Sequence, residues 1–360
     1  MRLLICAGGT GGGVYPALAV HSVLTSKVTD VETLWVGGEG GIEASLVNRQ
    51  GIPFQSIPAA GVHGVSLAAL PRNLALLGRG VLAARGILND FDPDVLFFTG
   101  GYVAAPVALA GRSIPSLLYV PDIEPGMALK SLAGFAQVIA VTTDQSQKFF
   151  NKQVYETGYP LRPDLTLWDR QTAQQHLGIS HNRPVLLVFG GSKGARSINL
   201  AVLNHLHALL ERFEMIHLSG ESDWQIVKET SEQLPLELAD RYHAMPYLHE
   251  MGAALACADL VVSRAGASCL GEYPLFGLPA ILVPYPHAWR YQKVNADYLT
   301  RRGAAIILQD HRLNDELLVT LNVLLENPNK LKAMRAAMFG LSHPRAAEKI
   351  ASALIQLAGE

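Results

Sequence analysis

Two glycine-rich turns, about half a chain apart, constrain the fold more than any other feature of this sequence. The first, Cys6-Ala7-Gly8-Gly9-Thr10-Gly11-Gly12-Gly13, follows the apolar run Leu3-Leu4-Ile5 and precedes Pro16-Ala17-Leu18-Ala19-Val20. The second, Gly190-Gly191-Ser192-Lys193-Gly194-Ala195, follows Val185-Leu186-Leu187-Val188-Phe189 and precedes Ser197-Ile198-Asn199-Leu200. Each pattern predicts a buried strand, a tight turn and a helix start. Such a turn aims backbone N–H groups and a helix dipole at an anion. Two of them in 360 residues predict two nucleotide-fold halves, with a phosphate-bearing ligand in the cleft between them.

The rest of the chain fits that frame. Near-continuous apolar runs at 3–7, 33–36, 95–99, 116–120 and 138–142 read as strands of the first half, and runs at 185–189, 215–219, 260–263, 280–284 and 305–308 as strands of the second. Runs of this kind suit parallel strands covered on both faces. Helical patterns lie between them, for example 199–213 and 315–325. The alternation predicts an α/β chain with two doubly wound sheets. Gly158-Tyr159-Pro160-Leu161-Arg162-Pro163 stops regular structure, so domains are expected at 1–159 and 160–340. A last helical stretch at 344–357, within the tail 341–360, is expected to pack on one of them, with a return to the first domain as one option.

Composition narrows the function classes. Apolar residues make up 49% and charged residues 17%, which suits two filled cores and leaves little for disorder. A net charge of −2 argues against a general nucleic-acid binder. Cys6, Cys257 and Cys269 have no metal-ligand spacing and read as buried thiols of a cytosolic protein. The first residues read as a strand leading into a glycine turn, so no signal peptide is expected. The longest apolar stretch, 103–120, is interrupted by Pro106, Arg112 and Pro115, too soon for a membrane span. A soluble or membrane-surface protein is expected.

The segment 65–88 has two readings. Leu67, Leu70, Leu74, Leu77 and Val81 recur at three- and four-residue steps, with Arg72, Arg79 and Arg85 interspersed. One reading is a helix packed on the sheet. The other is a membrane-surface helix whose leucines enter lipid while the arginines meet anionic headgroups.

Neither glycine turn is a familiar cofactor loop. The first lacks G-x-G-x-x-G spacing, so a nicotinamide cofactor is unforced, and in the second Lys193 is followed by Gly rather than the Ser or Thr of a P-loop. What they share is the ability to cradle a diphosphate. The stretch from Ser263 through Ala267, Ser268 and Cys269 to Glu272 repeats the strand, small-residue turn and helix, and places a carboxylate where it can accept two ribose hydroxyls. Gly100-Gly101-Tyr102, His287 and the run Arg290-Tyr291-Gln292-Lys293-Val294-Asn295 follow further strands, at the ends where ligands bind in open α/β sheets. The D-x-D in Asp90-Phe91-Asp92-Pro93-Asp94 leads directly into a strand and reads as strand-entry polarity, so no metal and no cofactor are expected.

Taken in order, these motifs resemble the MurG family, which transfers N-acetylglucosamine from UDP-GlcNAc to lipid I on the cytoplasmic face of the bacterial membrane. Gly277-Leu278-Pro279 and Pro284-Tyr285-Pro286-His287 extend the resemblance over nearly the whole chain. It implies a GT-B fold, with UDP-GlcNAc held by the C-terminal half and a lipid-linked acceptor met by an N-terminal half peripheral to the inner membrane face. Within the motifs, Gly191 and Ser192 would meet the diphosphate, together with Ala267, Ser268 and Cys269. Leu248 would hold the uracil through its backbone, Glu272 the ribose and Gln292 the sugar hydroxyls, with Arg162 near the donor. Thr10, Gly11, Gly12, Gly13 and Tyr102 would face the acceptor or the transferred sugar.

The acceptor side departs from the family. Gly13 stands where the family has His, Tyr119-Val120-Pro121-Asp122 replaces His-Glu-Gln-Asn, and Trp289 and Tyr291 replace an Asp and the first of two glutamines. The expected reaction is an inverting, metal-independent displacement of UDP. With no side chain at Gly13, Asp122 is the first candidate for the general base, ahead of Glu124 and His287. Two alternatives stay open: a UDP-sugar enzyme with another acceptor or an epimerase-like reaction, and a non-catalytic UDP-sugar binder.

Overall fold

The computed structural model describes residues 1–8, 11–41, 43–60, 70–180, 182–191, 194–287 and 291–359. They form two compact units, one of Met1–Arg162 with His343–Glu360 and one of Pro163–Ser342.

The first unit holds β1 (Arg2–Cys6), β2 (Glu32–Gly38), β3 (Phe54–Ile57), β4 (Val95–Phe98), β5 (Ser116–Val120), β6 (Val138–Val141) and β7 (Val154–Glu156). All pair parallel in the order β3-β2-β1-β4-β5-β6-β7. The alternation along β1 feeds two cores. Leu4 and Cys6 face one side with Leu96, Phe98 and Val107, while Leu3 and Ile5 face the other with Val14, Val20 and Trp35. That second core is closed by Ile350, Ala351 and Leu354 of the C-terminal helix Ala346–Ala358, which packs beside helix Gly11–Lys27.

The second unit holds β8 (Val185–Phe189), β9 (Glu214–Leu218), β10 (Tyr242–Met245), β11 (Leu260–Ser263), β12 (Ala280–Leu282) and β13 (Ala305–Ile307), again all parallel, in the order β10-β9-β8-β11-β12-β13. Leu186 and Val188 of β8 bury against Ile198, Val202 and Leu210, and against Leu317 and Leu321 of helix Leu313–Leu325.

Three corrections follow. The strands β3, β7 and β10 carry too little apolar pattern to be read from sequence; each is an edge strand with at most two buried residues. The single helix expected over 199–213 is two helices, Arg196–Asn204 and Leu206–Arg212. His205 leaves helical geometry there (φ −114°, ψ 14°), where Asn204 and His205 bond Asn314 at 2.8 and 2.6 Å. In the first unit the helix runs Leu70–Phe91, and its buried positions are Gly80, Ala84 and Leu88. Of the two readings of the stripe through Leu74, the one that packs it on the sheet does not hold: Leu74 and Leu82 are 51% and 67% exposed, and Arg72, Arg79 and Arg85 are also exposed. Residues 65–69, with Leu67, lie outside the described residues.

Candidate active site

In an open parallel sheet, ligands bind beyond the carboxyl ends of the strands, where the strand order reverses. In the second unit that point lies between β8 and β11. The turn after β8 is the second glycine turn, and the turn after β11 is the small-residue turn 264–271. The sequence-expected diphosphate groups therefore flank one switch point.

Each turn is held from behind. Gly194 N–H donates to the Gly191 carbonyl at 2.9 Å. Gly194 has φ +77°, and a Cβ there would lie 2.2 Å from the Ser219 carbonyl oxygen. Helix Arg196–Asn204 then begins at Ala195, whose methyl group offers no side-chain cap. Its leading N–H groups take no side-chain cap from Ala195, an arrangement that suits an anion. Ser192 lies outside the described residues.

Around the other turn, Arg264 is the hub that sequence reasoning missed. Its guanidinium bonds Asp310, the Ser197 hydroxyl at 2.9 Å and the Val283 carbonyl at 3.2 Å, and lies 5.2 Å from the Tyr285 ring centroid. One side chain thus ties the strand-end segments after β8, β11, β12 and β13. Ala267 and Cys269 are buried in a 3₁₀ turn, Ser268 is partly exposed, and Glu272 opens the short helix Glu272–Phe276, partly exposed.

Gln292 sits on helix Tyr291–Arg301. Its Oε1 accepts the Tyr285 N–H at 2.8 Å, which assigns the other end of the amide as a donor. Buried Asn295 docks that helix on the Ala265 carbonyl at 3.2 Å. Leu248 is partly exposed in the loop after β10, two strands from β8.

In the first unit the switch point lies between β1 and β4. A Cβ on Gly101 (φ +86°) would lie 2.8 Å from the Gly8 carbonyl oxygen, so the two turns meet backbone to backbone there. Tyr102 is 56% exposed beside them. Gly11 and Gly12 open helix Gly11–Lys27, and Gly13 accepts the Thr99 hydroxyl at 2.7 Å. Thr10 lies outside the described residues.

Asp122 is partly exposed at the carboxyl end of β5, while Glu124 is only 3% exposed. The Arg162 guanidinium lies 4.6 Å from the ring centroid of Tyr15, on the helix that follows the first glycine turn, a contact with no local sequence signal. The D-x-D carboxylates are engaged at the amino ends of the strands. Asp92 pairs with Arg2 at 2.7 Å, and Asp94 accepts the Arg2 N–H at 2.6 Å.

Behind the second glycine turn, burial pushes the His217 imidazole down to about 4, with Asp223 pulling weakly the other way. Tyr242 and Asn199 are its other polar neighbours. An unfolded His titrates near 6.5, so below that pH only the unfolded chain gains the proton. This stability is present at neutral pH and is lost as pH falls from about 6.5 to about 4, a total of about 3 kcal/mol. Urea unfolding at pH 7 and pH 4 is expected to show the wild type losing about that much more than His217→Gln; equal losses would contradict it.

Two Rossmann-like units, each with glycine turns at its switch point, define the GT-B class of glycosyltransferase fold. The family models agree. The glycosyltransferase family 28 N-terminal domain matches residues 3–141, and its C-terminal domain matches residues 185–350. The chain belongs to glycosyltransferase family 28 and, within it, to the MurG family. It is 39% identical to the UDP-N-acetylglucosamine--N-acetylmuramyl-(pentapeptide) pyrophosphoryl-undecaprenol N-acetylglucosamine transferase of Desulforudis audaxviator, over 100% of this chain and 99% of that one. The enzyme of the same name from Roseiflexus sp. is 38% identical, over 98% and 94%. Among solved structures, Acinetobacter baumannii MurG matches with a TM-score of 0.79 at 26% identity, covering 99% of each chain. A UDP-GlcNAc 2-epimerase from Neisseria meningitidis matches with a TM-score of 0.68 at 14% identity, over 99% of this chain and 100% of that one, and shares the fold alone.

Proposed function

We propose that this protein transfers N-acetylglucosamine from UDP-GlcNAc to the lipid I muramyl-pentapeptide, with inversion and without a metal ion. The observation that carries the reading is the pair of turns flanking the β8/β11 switch point, combined with full-length identity to enzymes named for this reaction. UDP leaves with growing negative charge. The N–H groups around Gly191 and Ser192 and around Ala267, Ser268 and Cys269 stabilise it, with help from Arg162; removing one such donor costs about 10²–10³ in rate. Glu272 takes the ribose, the Leu248 backbone the uracil, and the amide of Gln292 a sugar hydroxyl. Thr10, Gly11, Gly12, Gly13 and Tyr102 face the acceptor. Asp122 removes the proton from the attacking hydroxyl. Calorimetric titration tests the donor half: UDP and UDP-GlcNAc bind and GDP does not, and equal binding of GDP would contradict the uracil assignment.

The acceptor is lipid-linked, so the N-terminal unit works at the inner membrane surface. None of the described helices is long and apolar enough to cross a membrane. The outward face of helix Leu70–Phe91 supports surface binding, because it sets exposed Leu74 and Leu82 among three exposed arginines. Leu74→Glu with Leu82→Glu is expected to weaken binding to phosphatidylglycerol vesicles at least about tenfold. Both side chains are exposed, so the melting temperature stays near wild type. Unchanged vesicle binding would place the membrane contact elsewhere.

A further inference from the structure

Behind the second glycine turn lies a polar chain that the transfer mechanism does not use. His217 and Asn199 are both 0% exposed, and Asp223 is 5% exposed. Asn199 Nδ2 donates to the Ser219 carbonyl and to Asp223 Oδ2, each at 2.8 Å, so Asn199 Oδ1 is an acceptor. It faces His217 Nε2 at 3.0 Å, which therefore carries the proton. A neutral ring has one N–H, and the remaining lone pair on Nδ1 accepts the Tyr242 hydroxyl at 2.7 Å. The other Asp223 oxygen accepts from Arg196 at 2.9 Å. Donation thus runs from Tyr242 through His217 and Asn199 to the Ser219 carbonyl and Asp223, and Arg196 meets Asp223 from the other end.

This chain ends on the phosphate-facing machinery. The Ser219 carbonyl it fixes is the atom against which Gly194 is packed, and Gly194 closes the turn on Gly191. Arg196 is a cation on the first turn of a helix, where the dipole disfavours it, and Asp223 offsets that cost. Buried ion pairs can often be replaced by well-packed apolar residues without loss of stability, so filling the space does not by itself call for these polar groups. What the hydrogen bonds add is a fixed position for one carbonyl and one guanidinium beside the turn.

We propose that His217 is a positioning residue for diphosphate recognition, acting through Asn199 to fix the Ser219 carbonyl and Asp223 behind Gly191 and Gly194. This rests on the nucleotide-sugar reading above. The test measures UDP and uridine affinities of His217→Phe, His217→Gln and Tyr242→Phe, well below each variant's melting temperature. His217→Phe keeps the ring and loses both bonds. Its affinity for UDP is expected to fall roughly tenfold or more, with uridine affinity unchanged. His217→Gln retains a donor for Asn199 and recovers part of the loss. Tyr242→Phe removes only the outer hydroxyl and weakens UDP about threefold. This variant decides the matter if His217→Phe does not fold. Wild-type UDP affinity in the folded variants, or equal loss for UDP and uridine, would overturn the positioning role. A wild-type protein that binds neither UDP nor UDP-GlcNAc would overturn the nucleotide-sugar reading itself.

Discussion

Asp122→Asn is expected to lower turnover at saturating UDP-GlcNAc by at least about 100-fold, with the Kd for UDP-GlcNAc within about twofold of wild type. The argument starts from the backbone. The carbonyl of Pro121 accepts the Thr142 hydroxyl at 2.7 Å, and that of Ile123 accepts the Ser146 hydroxyl at 2.9 Å. Both hydroxyl residues are buried, so the loop that presents Asp122 is pinned on either side of it. Asp122 follows β5, next to β4, whose own loop carries Gly100, Gly101 and Tyr102. The carboxylate is partly exposed, whereas Glu124, two residues on, is buried. A base at a partly open strand end can meet an acceptor hydroxyl; Asn at that position keeps the shape and loses the proton acceptor. Gly13, where the family has His, offers no alternative. Unchanged turnover would remove Asp122 from the mechanism and turn attention to Glu124 and His287.

Gly194→Ala has the second large effect, and it falls on the donor. The φ of +77° is itself unfavourable for any residue with a Cβ. The added carbon would lie 2.2 Å from the Ser219 oxygen and 3.1 Å from its carbonyl carbon, and both are backbone. Relief requires the backbone at Gly194 or the Ser219–Gly220 segment to move. Stability is expected to fall by about 3 kcal/mol or more, and UDP affinity at least about 100-fold. Urea unfolding and calorimetry read the two quantities separately. A variant with wild-type stability and wild-type UDP affinity would contradict the turn geometry.

The parts of this molecule that were legible in sequence are those that rest on local pattern. Apolar runs bounded by glycine turns mark the inner strands of both sheets, because a parallel strand covered on both faces admits few polar residues. The edge strands β3, β7 and β10 escape this logic, since Gln55, Ser56 and Tyr155 face solvent. The helix at Leu70–Phe91 shows why one of its two readings, leucines packed on the sheet, does not hold. Its leucines are larger and more visible than Gly80 and Ala84, yet it is the face with Gly80, packed close against the Pro58 carbonyl and Pro106, that turns to the core. The glycine turns, Glu272 and Gln292 stand out by spacing. Arg264, Asp310, His217 and Asp223 do not, because their partners lie between 18 and 113 residues away in the chain. Only the sheet order brings them to one end.

The most direct measurement is transfer of labelled GlcNAc from UDP-GlcNAc to a short-chain lipid I analogue, with EDTA present. Formation of the disaccharide-lipid product, with the new linkage inverted relative to the donor, is the expected result. No product with lipid I, alongside intact UDP-GlcNAc binding, would contradict the proposed acceptor and assign the divergence at Gly13 and 119–122 to a different one.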